Sequence, residues 1–132
     1  MSKIRTFKNV GELDHTFTFV CRSRNTRHGF AHDAELFCED FPCNGIETSC
    51  FYLNRTWERY EYQSVMFKAV RMYQDIIYDD IKSTWMIDHG YSRMNEKRRQ
   101  ELSDFIKTDK SASFYRTLLA LYQEVADCSF YY

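Results

Sequence analysis

Glycine and proline are scarce in this chain, with four glycines and one proline in 132 residues. The backbone therefore has few places to break, which excludes a flexible linker, a collagen-like array or a low-complexity tail. No window approaches the roughly 18 apolar residues of a membrane span. The stretch "SKIRTFKNVGELDH" after Met1 lacks the apolar centre of a secretory leader. An excess of one charge is missing too. With 18 Lys and Arg against 19 Asp and Glu, the net charge is -1, which argues against both a uniformly basic nucleic-acid binder and an acidic mimic of DNA. The five cysteines, Cys21, Cys38, Cys43, Cys50 and Cys128, are odd in number and include no C-x-x-C pair. Reduced thiols fit that pattern better than a secreted disulfide framework, so a soluble, cytoplasmic protein is expected.

Reactive motifs are absent as well. There is no G-x-S-x-G, no Walker loop and no dinucleotide fingerprint, and His15, His28, His32 and His89 carry no flanking acidic or glycine-rich signature. No catalytic residue and no cofactor is expected. His28, His32, Cys38, Cys43 and Cys50 are zinc-ligand types lying close in sequence. Their spacing matches no zinc knuckle, and Cys21, Cys38 and Cys50 fall on apolar-patterned strand faces, where cysteine packs as a small hydrophobe. No metal site is expected either.

What the chain does have is aromatic residues, 17% of the total, arranged with clear periods. Residues 15 to 24 alternate, setting Phe17, Phe19 and Cys21 on one side of a strand. "RNTRHG" supplies hairpin residue types. A second strand places Phe30, His32, Ala34, Leu36 and Cys38 opposite Asp33, Glu35 and Phe37, "DFPCNG" turns the chain, and Ile46 to Leu53 forms a third strand. After Asn54 the period becomes helical: Tyr62, Val65, Met66, Ala69, Val70, Tyr73, Ile76, Ile77, Ile81 and Trp85 form one long stripe that stops before Gly90. A weaker helix follows, with Met94, Leu102, Phe105 and Ile106 as its apolar face. A third, capped by Ser111 or Ser113, carries Phe114, Leu118, Leu121, Tyr122 and Val125. The expected fold is a single α+β domain over residues 1–132: a three-stranded antiparallel meander, then a long helix and two further helices packed on one face. The aromatic ending "CSFYY" is expected to dock on the domain or on a second copy of it, and the open edges of a short sheet also fit a homodimer.

Two clusters are candidate partner-binding sites. Arg22, Arg24 and Arg27 gather at the first hairpin, where arginine's planar fork can track a phosphate backbone or grip a protein. The plainer reading pairs them with Asp33, Glu35 or Glu39 of the neighbouring strand. The second cluster lies in "FYLNRTWERYEYQSVMFKAV", residues 51 to 70, where Arg55, Trp57, Arg59 and Tyr60 crowd a strand-to-helix junction. Arginine with large aromatics is the composition of binding hot spots. The plainer reading has Trp57 closing the core under the arginine stems. In the second helix, "NEKRRQE" adds an exposed basic run.

From "SRNTRHGFAHDAELF" to "NRTWERYEYQSVMFKAV", residues 22 to 70, the chain resembles small proteins encoded by bacteriophages and related mobile elements. The resemblance implies an accessory role in the host bacterial cytoplasm, including inhibition of defence systems such as CRISPR nucleases, and it carries over no site residue. The first expectation is an inhibitor that binds a bacterial protein, such as a CRISPR nuclease complex, through a protein–protein surface. The second is nucleic-acid binding through the basic hairpin, with Trp57, Tyr60 or Tyr62 stacking on bases. The third is sequestration or conversion of a small ligand in a pocket between sheet and helices.

Overall fold

The computed structural model describes residues 2–26, 29–38, 46–52 and 59–128, with side chains for 4–22, 33–38 and 63–128. Strands β1 (Ser2–Val10), β2 (His15–Thr26), β3 (Gly29–Cys38) and β4 (Ile46–Tyr52) form one antiparallel sheet in the order β1-β2-β3-β4. The three expected strands are β2, β3 and β4, and β1 precedes them. Helix α1 (Arg59–His89), α2 (Glu96–Thr108), a 3-10 turn (Lys110–Ala112) and α3 (Ser113–Asp127) complete an α+β arrangement. The last four residues of "CSFYY", 129–132, and residues 27–28, 39–45 and 53–58 lie outside the described residues, and with them the expected docking of that ending.

Alternation decides which sheet face is covered. Phe17, Phe19 and Cys21 of β2 and Ala34, Leu36 and Cys38 of β3 are buried, packed under Val65, Met66, Ala69, Val70 and Tyr73 of α1 and Leu118, Leu121 and Val125 of α3. Each fully buried large apolar side chain contributes about 1.5–3 kcal/mol of transfer free energy. Polar lacing fixes how the helices lie: Gln63 Nε2 donates to Val125 O (3.1 Å) and Gln74 Nε2 to Leu118 O (3.2 Å).

The β1–β2 connection is shaped by three left-handed residues. Regular alternation from Phe7 would turn Val10 outward, but the register shifts between them at Asn9 (φ 59°), and Val10 is buried instead. Gly11 (φ 78°) and Asp14 (φ 52°) complete the turn. This turn is clamped to α3: Arg116 Nε and Nη2 donate to Glu12 (2.7 and 3.1 Å), and Arg116 Nη1 donates to Ile106 O and Asp109 O, both at 2.7 Å.

Beyond Tyr73, α1 runs on and builds a second core. Trp85 packs with Leu102 and Ile106 of α2 and with Ala112, flanked by Tyr78, Ile81, Met86, Phe105 and Tyr115. Helix α3 shares the sheet face with α1, whereas α2 folds back onto the far half of α1. Ile76, expected in the α1 stripe, is exposed, because past Tyr73 the buried line passes through Ile77, Ile81 and Trp85. Helix α1 ends at Gly90 (φ 68°), with Gly90 N–H donating to Ile87 O and Tyr91 N–H to Met86 O, the paired pattern of a Schellman cap. Asn95 caps α2 by accepting from Arg98 N at 2.9 Å. Neither serine caps α3. Ala112 precedes that helix without a side-chain cap, and Asp109 caps the 3-10 turn by accepting from Ser111 N. Among the described residues, no helix is long and apolar enough to cross a membrane.

Candidate partner-binding surface

With Phe17, Phe19 and Cys21 turned to the core, the intervening residues of β2 occupy the opposite face of the sheet. Register places Ile4 and Thr6 of β1 and Glu35 and Phe37 of β3 beside Val20 and Thr18 on that face. Among the described residues, no helix packs there. Ile4 is 67% exposed and Phe37 37%, so apolar side chains flank the centre of an open surface.

Arg22 lies on this face. Its Nη1 donates to Glu35 Oε1 at 2.7 Å, a diagonal contact, since the Cα partner of Arg22 is Asp33. The plainer reading, cross-strand pairing, therefore holds for Arg22. Its side chain stays 54% exposed, and a pair this open to water contributes at most about 1 kcal/mol to stability. What it does supply is a fixed direction for a guanidinium that would otherwise sample many rotamers.

The β2–β3 register remains regular to Thr26↔Gly29, so Arg24 follows Arg22 on the same face of the strand. Arg27 lies outside the described residues, as do Arg55 and Trp57. Arg59 and Tyr60 open α1, where only their backbone is described. Arg22 and Arg24 thus stand two residues apart on one regular strand, and of the two only the Arg22 side chain is described. The placement of the other cluster's side chains falls outside the described residues.

Among the described residues, no three His, Cys, Asp or Glu side chains are placed to hold a metal ion. Cys21 and Cys38 are buried in the sheet core, as their apolar-face positions imply. Burial pushes the Cys21 thiol up to about 11 against the smaller opposing pull of Arg5, which leaves almost no thiolate near neutrality. His15 is buried with its ring edge-on to Phe114, 5.4 Å between centroids.

A feature that sequence periodicity missed lies at the far end of α1. Trp85, His89 and Tyr91 stack in series, with centroids 4.5 Å apart for the first pair and 5.4 Å for the second, and the Arg98 guanidinium lies 4.0 Å above Tyr91. His89 Nδ1 sits 2.8 Å from Trp85 O. A carbonyl oxygen only accepts, so Nδ1 carries the hydrogen and a neutral ring keeps its lone pair on Nε2. The i, i+4 spacing of Trp85 and His89 was the available signal; the contact with Arg98 depends on α2 folding back.

No family model matches the chain, and neither curated proteins nor solved structures provide a significant match.

Proposed function

We propose that this chain works by adhesion rather than turnover, as a small phage-type accessory protein that covers a surface of a bacterial defence nuclease, with the open face of its sheet as the contact. The supporting observation is that face: outward Ile4 and Phe37 on either side of β2, with Arg22 held in one direction by Glu35. Four strands at ~4.8 Å spacing and ~30 Å of strand length give roughly 550 Å², most of the ~600–800 Å² that each partner contributes to a specific interface. Apolar residues around a directed arginine match the composition that concentrates binding energy. The ion pair also favours a protein over a phosphate backbone. A phosphate approaching Arg22 meets Glu35 on the diagonal and Asp33 directly across the strand pair, and like charge there opposes it.

The test is cleavage of DNA by a purified CRISPR nuclease complex titrated with the protein, with co-elution on a sizing column. The native chain slows cleavage and co-elutes. The double variant Ile4→Glu/Phe37→Glu loses both effects while its circular dichroism spectrum stays that of the folded chain, because Ile4 lies mostly and Phe37 partly in water. Native protein without effect on cleavage, or a double variant as potent as the native chain, overturns the proposal. DNA affinity falling steeply with salt would support the nucleic-acid reading instead.

A further inference from the structure

Strand β1 is an edge of the sheet. On one side it pairs with β2; on the other, among the described residues, no strand lies beside it and no further backbone hydrogen bond reaches it. Helix α3 approaches β1 from the inner face, where Phe7 and Val10 join the core, so the outer edge stays uncovered.

Register fixes which backbone groups are left over. Only two residues separate Thr26 from Gly29, so that pair exchanges its own hydrogen bonds. Hydrogen-bonded and open pairs then alternate along the ladder, and even-numbered residues of β2 bond to β3 while odd-numbered ones bond to β1. In β1 the residues bonded to β2 are therefore Lys3, Arg5 and Phe7, the partners of Cys21, Phe19 and Phe17. The N–H and C=O groups of Ser2, Ile4 and Thr6 point away from the sheet. This open ladder runs straight until the register shift at the left-handed Asn9.

Charge decides what can pair with it. Strand β1 carries Lys3, Arg5 and Lys8 and no acidic residue, and β2 beside it carries none either. A second copy of β1 would bring six cations into one seam, and like charges across a strand pair are destabilising. Lysine on an edge strand guards against pairing of that kind. The same guard admits a strand of opposite charge.

We infer that the outer edge of β1 takes up an extended acidic segment of a partner protein as a fifth strand. The backbone groups of Ile4 and Thr6 complete the ladder, which supplies affinity, and carboxylates of the segment beside the basic residues of β1 supply selectivity. A nucleic acid meets the cations but cannot complete the ladder, because its phosphodiester backbone donates no hydrogen bond. The inference rests on the reading of this chain as a binder of proteins and adds the chemistry of the segment bound. Such a strand also widens the neighbouring open face by about 4.8 Å.

The test titrates the full chain with a capped hexapeptide alternating glutamate and threonine, following backbone amides by NMR. Its lysine counterpart, the glutamate peptide with its amides N-methylated, and a short oligothymidylate serve as comparison ligands. The glutamate peptide shifts the Ile4 and Thr6 amides saturably and slows their exchange, and neither the lysine peptide nor the methylated one does so. Lys3→Gln/Lys8→Gln weakens binding about five- to tenfold, the loss of two exposed ion pairs. Thr6→Pro removes an N–H that β2 does not use, so the chain stays folded and binding is lost, whereas Thr6→Val binds as the native chain does. The methylated peptide makes the same test on the native chain. Amides unmoved by millimolar glutamate peptide, equal binding of the lysine or methylated peptide, or a folded Thr6→Pro variant that still binds each overturns the inference. Tighter binding of the oligothymidylate at these amides overturns it in favour of nucleic acid, and a dimer that Thr6→Pro prevents overturns it in favour of a second copy. Because no nuclease enters this titration, its outcome is separable from the cleavage assay.

Discussion

Replacing Gly11 with alanine isolates a close approach between the β1–β2 turn and α3. Gly11 adopts φ 78° in the β1–β2 turn, and a Cβ there would run into the Thr117 hydroxyl and come within 2.8 Å of Thr117 Cβ and Cγ2. Thr117 cannot swing away freely: it is 1% exposed, and its hydroxyl donates to Ser113 O at 3.0 Å. Two costs add. The left-handed backbone costs an alanine about 1 kcal/mol, and forcing atoms into a packed contact costs about 1–3 kcal/mol. Gly90 provides the internal control, since its φ of 68° demands the same conformation while an added Cβ meets nothing within 4 Å. Gly90→Ala should therefore show only the first cost. Unfolding followed by circular dichroism reads both: at roughly 3–4 °C per kcal/mol for a domain of this size, Gly11→Ala lowers Tm by about 10 °C and Gly90→Ala by about 3–4 °C. Thr117→Ala in the Gly11→Ala background recovers part of the gap. Equal Tm losses for the two glycine variants would refute the close approach as the reason for Gly11.

Acid sensitivity should trace to the same clamp. Hydrogen bonding from Arg116 holds Glu12 below its ordinary value of 4.5, and hydrogen bonds from Ser111 hold Asp109 below 3.8. Both carboxylates bind protons more readily in the unfolded chain, so their contribution is present above those ordinary values and is lost as pH falls through the lower folded ones. Arg116→Ala should flatten the loss of stability on acidification without abolishing it, because Asp109 keeps Ser111; a slope identical to the native chain's would count against the clamp. Cys21, with its thiol raised to about 11 by burial, should escape iodoacetamide at about pH 8 until denaturant is added. Peptide mass spectrometry checks this, and labelling of Cys21 in the folded chain at the rate of a free thiol would contradict it.

Where one face of an element is apolar and the other is not, the sequence was readable. Phe17, Phe19 and Cys21 alternate without exception, and Phe114, Leu118, Leu121 and Val125 keep a helical step, so β2 and α3 were legible with their buried faces. Strand β1 was not. "SKIRTFKNV" sets Ile4 outward and Phe7 inward, places Arg5 in the inward row, and then shifts register, so no binary pattern survives. The cap of α3 was misread because two serines stand where caps belong, while Asp109 closes a 3-10 turn inserted just before them. At the candidate surface, the cross-strand pairing of Arg22 followed from neighbouring strands alone. The contact of Arg98 with Tyr91 did not, since it requires α2 to return along α1, a tertiary event that weak periodicity in "EKRRQELSDFIKT" does not announce.

Helix α1 belongs to two interiors at once. Its first half is held by the sheet and its second by Trp85 and α2, and a 31-residue helix is about 46 Å long. The rod is thus a shared beam, and because Arg116 also ties the β1–β2 turn to the end of α2, the two interiors should open together in amide exchange.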